Sequence, residues 1–254
     1  YSDTRMGASM DSYLNGYNDP RLPVYFQPVT EGDNKGEYRG VANGMPNPQQ
    51  DDYKAMSAPN VQEKSTDSPL RWMMASEVAF LRAEGAMRGW TAEMGGTAEE
   101  FYNKGIELSF LENGLSADAA ARYAADETSK PTDFTDVSTA NTKYNISALG
   151  KITIKWNAGA SEEEQLERII TQKWIAMFPN GTEAWSEFRR TGYPRLFPVR
   201  YNYPSSGVDT NKQIRRMVFP QSEYSNNGAA VQEAVKLLGG PDNGGTKLWW
   251  DKKN

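Results

Sequence analysis

QKWIAMFPNGTEAWSEFRRTGYPRL, residues 172–196, decides how the rest of the chain is read. Just upstream, Ser161 followed by Glu164 forms a capping-box pattern ahead of an apolar run. Leu166, Ile169, Ile170, Trp174, Met177 and Phe178 then recur at the spacing of one wide stripe on an amphipathic helix. Pro179-Asn180-Gly181 stops that helix. Thr182 is the expected cap of a second, shorter helix, with Glu183 in its first turn and Arg189 and Arg190 in its last, both signs suiting the helix dipole. Two helices joined by so short a break must turn sharply and pack together. Trp174 and Trp185 therefore read as core, and Arg189 and Arg190 as partners at a helix end in preference to ligand clamps.

Outward from this pair, helices are expected near 5–15, over about 71–89 and over about 97–112. In the second of these Ala75, Ala79, Ala83 and Ala86 make a small-residue stripe that lets a partner approach closely, as in tetratricopeptide pairs, although no 34-residue repeat is present. Phe101, Tyr102, Gly105, Ile106 and Ser109 line the partner helix, and Ser116 can cap a short alanine-rich helix. Lys151–Trp156 alternates strictly and predicts a half-buried strand or extended segment with Ile152, Ile154 and Trp156 inward. Asn226 and Asn227 are the expected cap of a last helix, with Val231, Ala234, Val235 and Leu238 inward. Long irregular stretches run over 31–69, 127–150 and 197–213.

The segment 172–196 resembles the SusD/RagB family of nutrient-binding outer-membrane lipoproteins, through Gln172, Lys173, Trp174, Asn180, Gly181, Glu183, Ala184, Trp185, Arg189, Arg190, Thr191, Gly192, Tyr193 and Pro194. Four further stretches resemble the family in its order: DPRLPVYFQP at 19–28, RWMMASEVAFLRAEGAMRGW at 71–90 (with Ser76 where the family has Ala), AEEFYNKGIELSFLENG at 98–114, and RRMVFPQSEYSNNGAAVQEA at 215–234 with the terminal LWWD at 248–251. The resemblance implies a mainly α fold of SusD-like, tetratricopeptide-like helix pairs with long irregular loops and little β. It implies a binding protein and not an enzyme. It also implies that residues 1–254 are the C-terminal portion of such a protein, one compact unit, with the N-terminal half and the lipoprotein signal lying outside it.

Composition agrees with capture without chemistry. There is no Cys, which excludes disulfides and thiolate metal sites, and no His, which removes the commonest general base and metal ligand. A net charge of −5 and a pI near 5.1 argue against a basic nucleic-acid groove. No cofactor and no metal are expected, because the acidic turn 31–37 is interrupted by Lys35 and GGPDNGGTK at 239–247 lacks a phosphate-loop context. Glu183 with Glu187, and adjacent Asp51 with Asp52 in extended loop, carry no catalytic signature. The candidate ligand residues are aromatic or polar side chains in loops: Tyr38, Arg39, Asn43, Tyr53, Tyr201 and Tyr203, with Asn47, Gln49, Gln50 and Asp52 nearby. Tyrosine rings meet the apolar face of a sugar, and the amides and charges meet its edge. The family implies an oligosaccharide ligand, a SusC-like TonB-dependent transporter as partner, and a place on the Gram-negative outer membrane through a lipid anchor. Peptide capture on the same fold, or a non-binding scaffold on the transporter, are the alternatives.

Overall fold

Ser161 starts the central helix as its sequence predicts, its hydroxyl accepting from the Glu164 amide at 3.3 Å. The structure is a computed structural model and describes residues 3–44, 49–60, 72–140, 142–203 and 206–253. Asn47, the end of the 31–69 loop and the expected helix start at Arg71 lie outside the described residues. Helices follow in the order α1 (Ala8–Gly16), α2 (Leu22–Tyr25), α3 (Gln50–Tyr53), α4 (Ala75–Met87), α5 (Thr91–Met94), α6 (Ala98–Glu112), α7 (Ala117–Ala124), α8 (Glu162–Ala176), α9 (Gly181–Thr191) and α10 (Gln221–Leu237). Among the described residues there is no sheet, only isolated bridges such as Gly7 with Val41 and Phe134 with Ile146. The mainly α expectation holds.

The core is built where α4, α6 and α8 meet. Phe80 and Ala83 of α4, Tyr102, Ile106 and Phe110 of α6, and Ile169, Ile170 and Ile175 of α8 are all buried in one cluster. Close approach of α4 and α6 depends on Gly105, where a Cβ would lie 2.7 Å from the Phe80 ring. The DPRL turn enters the same core. Arg21 is fully buried, forked on Asp19 and held between the rings of Phe110 and Tyr123 at 5.0 and 5.2 Å.

Several local expectations are corrected. Lys151–Trp156 keeps its alternation, with Ile152, Ile154 and Trp156 buried, but joins no ladder. Its carbonyls are satisfied by side chains instead: the Tyr17 hydroxyl donates to Ile152 O at 3.2 Å and the Tyr102 hydroxyl to Ile154 O at 2.6 Å. The cap of α9 is Asn180, whose side chain accepts from the Glu183 amide at 3.2 Å, and not Thr182. The last helix starts at Gln221 behind Pro220, and Asn227 marks a kink inside it in place of a cap. Asp51 and Asp52 sit on α3, not in extended chain. Trp174 and Trp185 are half-buried and not fully core. Trp174 meets Tyr13 edge-on at 5.7 Å, while Trp185 donates to Ile214 O at 2.8 Å and lies under the Arg189 guanidinium at 3.6 Å.

The inward pattern of α4 leaves an outer face uncovered. Val78 and Leu81, one turn apart, are 41% and 40% exposed, and Trp72 and Trp90 beyond the two ends are 87% and 56% exposed. Exposed apolar surface of this kind binds hydrophobic dyes. The 254-residue chain on its own is expected to enhance ANS fluorescence at neutral pH. Val78→Ser with Leu81→Ser should reduce that signal, and an unchanged signal would show that these positions do not form a binding patch.

Candidate ligand-binding site

The clearest concave site lies beside α1, where two distant segments are pinned together. The first is the 39–44 segment. It follows residues 6–8, with the Val41 amide donating to Met6 O at 2.8 Å and the Ala8 amide to Val41 O at 2.8 Å. Asp11 on α1 fixes the same segment by accepting from the Gly40 amide at 2.6 Å. Burial pushes the Asp11 carboxyl above its usual range, although the Gly40 amide and the Asn15 side chain pull the other way.

The second segment is α3. It is only four residues long, so nearly all its backbone ends need outside partners. Arg5 supplies them. Its Nε donates to Tyr53 O at 3.1 Å and its Nη2 to Lys54 O at 2.6 Å. A cation at a helix C-terminus also opposes the helix dipole favourably. Between these segments lies a pocket of about 610 Å³, lined by Val41–Gly44, by Gln49, Gln50, Tyr53 and Lys54, and by Asp3 and Arg5.

Of the residues expected from sequence, Asn43 and Tyr53 come together in this pocket. Tyr53 is buried at 9% exposure, and burial raises its hydroxyl pKa, so it forms a wall and not a projecting platform. The segment carrying Tyr201 and Tyr203 passes along the pocket's Asn43–Gly44 edge at Arg200 and Tyr201. The Arg200 amide donates to Asn43 O at 3.0 Å, and a Cβ on Gly44 would stand 2.8 Å from Tyr201 O. Gly44 also has a φ of +73°, a second reason for glycine there. The two rings meet edge to face at 5.5 Å and are 45% and 70% exposed.

Tyr38 and Arg39 are placed elsewhere. Tyr38 is half-buried against the main core, and Arg39 pairs with Glu37 at 2.7 Å. Asp3, Arg5 and Lys54 line the pocket but carry no sequence signal that would single them out, because their role comes from contacts across about fifty residues. Arg189 and Arg190 do face inward as helix-end partners: Arg189 donates to Arg215 O at 2.9 Å, and Arg190 forks on Glu84 at 2.7 and 2.6 Å.

A second cleft of about 820 Å³ runs between α6 and α7. Its wall is mostly alanine from α7 and carboxylates including Glu99, Glu107 and Asp118, and Trp156 beside it is only 8% exposed. It offers few uncharged hydrogen-bonding groups, so the pocket beside α1 is the better candidate for a ligand site.

Comparison with known proteins assigns the fold. The SusD-like family model, described as SusD and RagB outer membrane lipoprotein, matches residues 1–251. A chitin-binding SusD homologue from Flavobacterium johnsoniae is 44% identical with a TM-score of 0.89, over 98% of this chain and 50% of its own. A SusD homologue from Bacteroides vulgatus is 39% identical with a TM-score of 0.90, over 99% of this chain and 50% of its own. A SusD-like protein from Bacteroides thetaiotaomicron is 44% identical with a TM-score of 0.89, over 97% and 50%. This chain therefore spans about half the length of these structures. No curated protein sequence matches significantly. The chain belongs to the SusD/RagB family of outer-membrane lipoproteins.

Proposed function

We propose that this chain forms part of a cell-surface receptor that captures oligosaccharides and passes them to a SusC-like TonB-dependent transporter, without chemistry on the ligand. The observation that supports this reading is the pocket beside α1, lined by Asn43, Gln49, Gln50 and Tyr53, with the backbone of Tyr201 at its Gly44 edge and the exposed Tyr201–Tyr203 pair on that same segment. Amides both donate and accept hydrogen bonds, as sugar hydroxyls do, and aromatic rings cover the apolar faces of pyranose rings. The chitin-binding relative of the same fold supports a carbohydrate ligand. As part of a SusD-like protein of about twice this length, the chain supplies one compact helical unit carrying this pocket.

The exposed tyrosines and the buried one separate binding from stability. Tyr203→Ala and Tyr201→Ala, made in the complete protein, are each expected to weaken oligosaccharide affinity about tenfold, or 1.4 kcal/mol, with little change in melting temperature. Tyr53→Ala is expected to lower both, because it removes a buried ring. Calorimetric titration and thermal melts on the three variants check this. Unchanged affinity in all three moves the ligand site off this pocket. Screening a peptide library beside a glycan array tests the ligand class: peptide binding alone would replace the carbohydrate reading, and no binding to either would favour the scaffold.

A further inference from the structure

Six asparagines of this chain precede glycine: Asn15, Asn43, Asn113, Asn180, Asn227 and Asn243. Such a pair can close a five-membered imide, because glycine has no Cβ to shield its nitrogen from the preceding side chain. The dipeptide alone ranks all six alike, and the fold separates them. Ring closure needs a side chain free to swing back and an amide nitrogen free of its own hydrogen bond, so each bond that must break first adds to the barrier.

Four of the six are fastened. Asn15 Nδ2 donates to Asp11 Oδ1 at 2.7 Å and to Tyr38 O at 2.9 Å. Asn113 Nδ2 donates to Ser109 O at 2.7 Å, and the Gly114 amide to Leu111 O at 3.1 Å. Asn180 Oδ1 caps α9, and the Gly181 amide donates to Pro179 O at 2.9 Å. Asn243 Oδ1 accepts from the amides of Gly245 and Thr246 at 3.0 and 3.1 Å. The side chain of Asn227 makes no hydrogen bond among the described residues, but Gly228 lies inside α10, where amide nitrogens are spent on the preceding turn. Asn43 differs on both counts. It is exposed, and among the described residues neither its side chain nor the Gly44 amide makes a hydrogen bond. Gly44 is itself held as glycine by its φ of +73° and by Val199 and Tyr201 O, the latter 2.8 Å from where a Cβ would stand. The close approach that seats 43–44 against residues 199–201 therefore keeps the reactive pair in place.

We propose that Asn43 is a self-modification site, the first asparagine of the folded chain to convert to isoaspartate. The Gly44 nitrogen attacks Asn43 Cγ. An N–Cγ bond forms, the Cγ–Nδ2 bond breaks, and Nδ2 leaves as ammonia with the proton that Gly44 gives up. Water then opens the imide. Opening at Cγ returns an aspartate in a normal chain. Opening at the backbone carbonyl gives isoaspartate, with one extra carbon in the main chain. Either way one water is consumed and one ammonia released. The contacts of Gly44 with Val199 and Tyr201 leave no slack for a longer chain. The isoaspartyl form must therefore pull 43–44 away from that segment, and the Arg200 amide loses the acceptor it now finds 3.0 Å away at Asn43 O. On the receptor reading above, this takes apart one edge of the pocket.

The experiment incubates the complete, folded protein in mildly alkaline buffer made with heavy-oxygen water, then digests it in ordinary water and maps it by mass spectrometry. Heavy oxygen marks each asparagine converted during the incubation, and the six sites control for one another. In the denatured chain they should convert at similar rates, since glycine follows each. In the folded protein Asn43 should lead every other site by about tenfold, the effect of about one hydrogen bond on a barrier. Asn43→Gln, which would have to close a six-membered ring, should take up almost no heavy oxygen at that position. The isoaspartyl form, separated chromatographically, should exchange its Arg200 amide hydrogen about tenfold faster than fresh protein. Asn43→Asp adds the same charge without the extra carbon and should keep the fresh protein's exchange rate. Another of the six converting first in the folded protein, or a folded order that repeats the denatured one, would overturn the assignment. Unchanged protection of Arg200 in the isoaspartyl form would overturn the opening of the pocket edge. None of these results bears on ligand capture itself, which the titrations above test separately.

Discussion

Arg21→Ala is expected to lose about 3–5 kcal/mol of folding stability, because it leaves a buried carboxylate without its partner. Arg21 and the Asp19 side chain are both inaccessible, and the guanidinium holds that carboxylate through Nε at 2.9 Å and Nη2 at 2.6 Å. It also reaches three parts of the fold that are far apart in sequence. Nη1 donates to the Ser109 hydroxyl on α6 at 2.9 Å, and Nη2 to the Tyr123 hydroxyl on α7 at 3.3 Å and to Gln172 Oε1 on α8 at 3.1 Å. Arg21→Lys keeps the charge but cannot reproduce the fork or the stacking between Phe110 and Tyr123, so it should recover only a minor part of the loss. Urea unfolding at neutral pH measures both variants. If Arg21→Ala unfolds within 1 kcal/mol of the parent, the turn is not the junction of α6, α7 and α8 that its bonds describe.

The same contacts show what the sequence made legible. Helix starts with a serine cap were readable because the signal is local: Ser116 and Ser161 both accept from the amide three residues on. The stripe of α8 was readable because burial follows its period, with Ile169 and Ile170 at 0% and 1% exposure. Trp174 at the margin of that stripe was harder, since periodicity gives a face but not where the face ends. The segment 172–196 marks the family, and its polar residues prove to be internal fasteners, with Gln172 bonded to Arg21 and Tyr123. The pocket was only half legible. Asn43 and Tyr53 could be named as an amide and an aromatic in an irregular stretch. Their meeting depends on Arg5 reaching backbone carbonyls 48 and 49 positions away, and no pattern of side-chain types encodes that. For the same reason the extended run at 151–156 showed its inward face but not its partners, which are tyrosine hydroxyls on α6 and just after α1.

Lys173 carries the other large expected effect. Its side chain is 1% exposed, and Nζ stands 3.1 Å from Glu183 and from Glu187 on α9 and 3.9 Å from Glu77 on α4. Glu187 also receives Arg190 at 2.6 Å, and Arg190 bridges on to Glu84 of α4 at 2.6 Å. One chain of charges thus joins α4, α8 and α9. Lys173→Met preserves most of the side-chain volume and removes the charge, leaving three carboxylates facing a buried apolar group. The expected loss is again about 3–5 kcal/mol at pH 7. Its pH dependence separates charge from packing. Burial raises the Glu77 carboxyl above its usual value even with Lys173 opposing, so removing Lys173 must raise it further. A carboxyl whose folded pKa exceeds its unfolded value binds more protons in the folded state, and stability then rises as pH falls toward the ordinary Glu pKa of about 4.3. Glu84 behaves oppositely. Burial raises it, but Arg190 and Arg88 hold it net below the usual range, so its contribution is present above that value and is lost only as pH falls further. The deficit of Lys173→Met should therefore narrow between pH 7 and about pH 4.5, above the range where Glu84 is lost. Urea midpoints of parent and variant at the two pH values decide it. An equal deficit at both would mean that Lys173 holds the three helices by packing its alkyl stem, not by its charge.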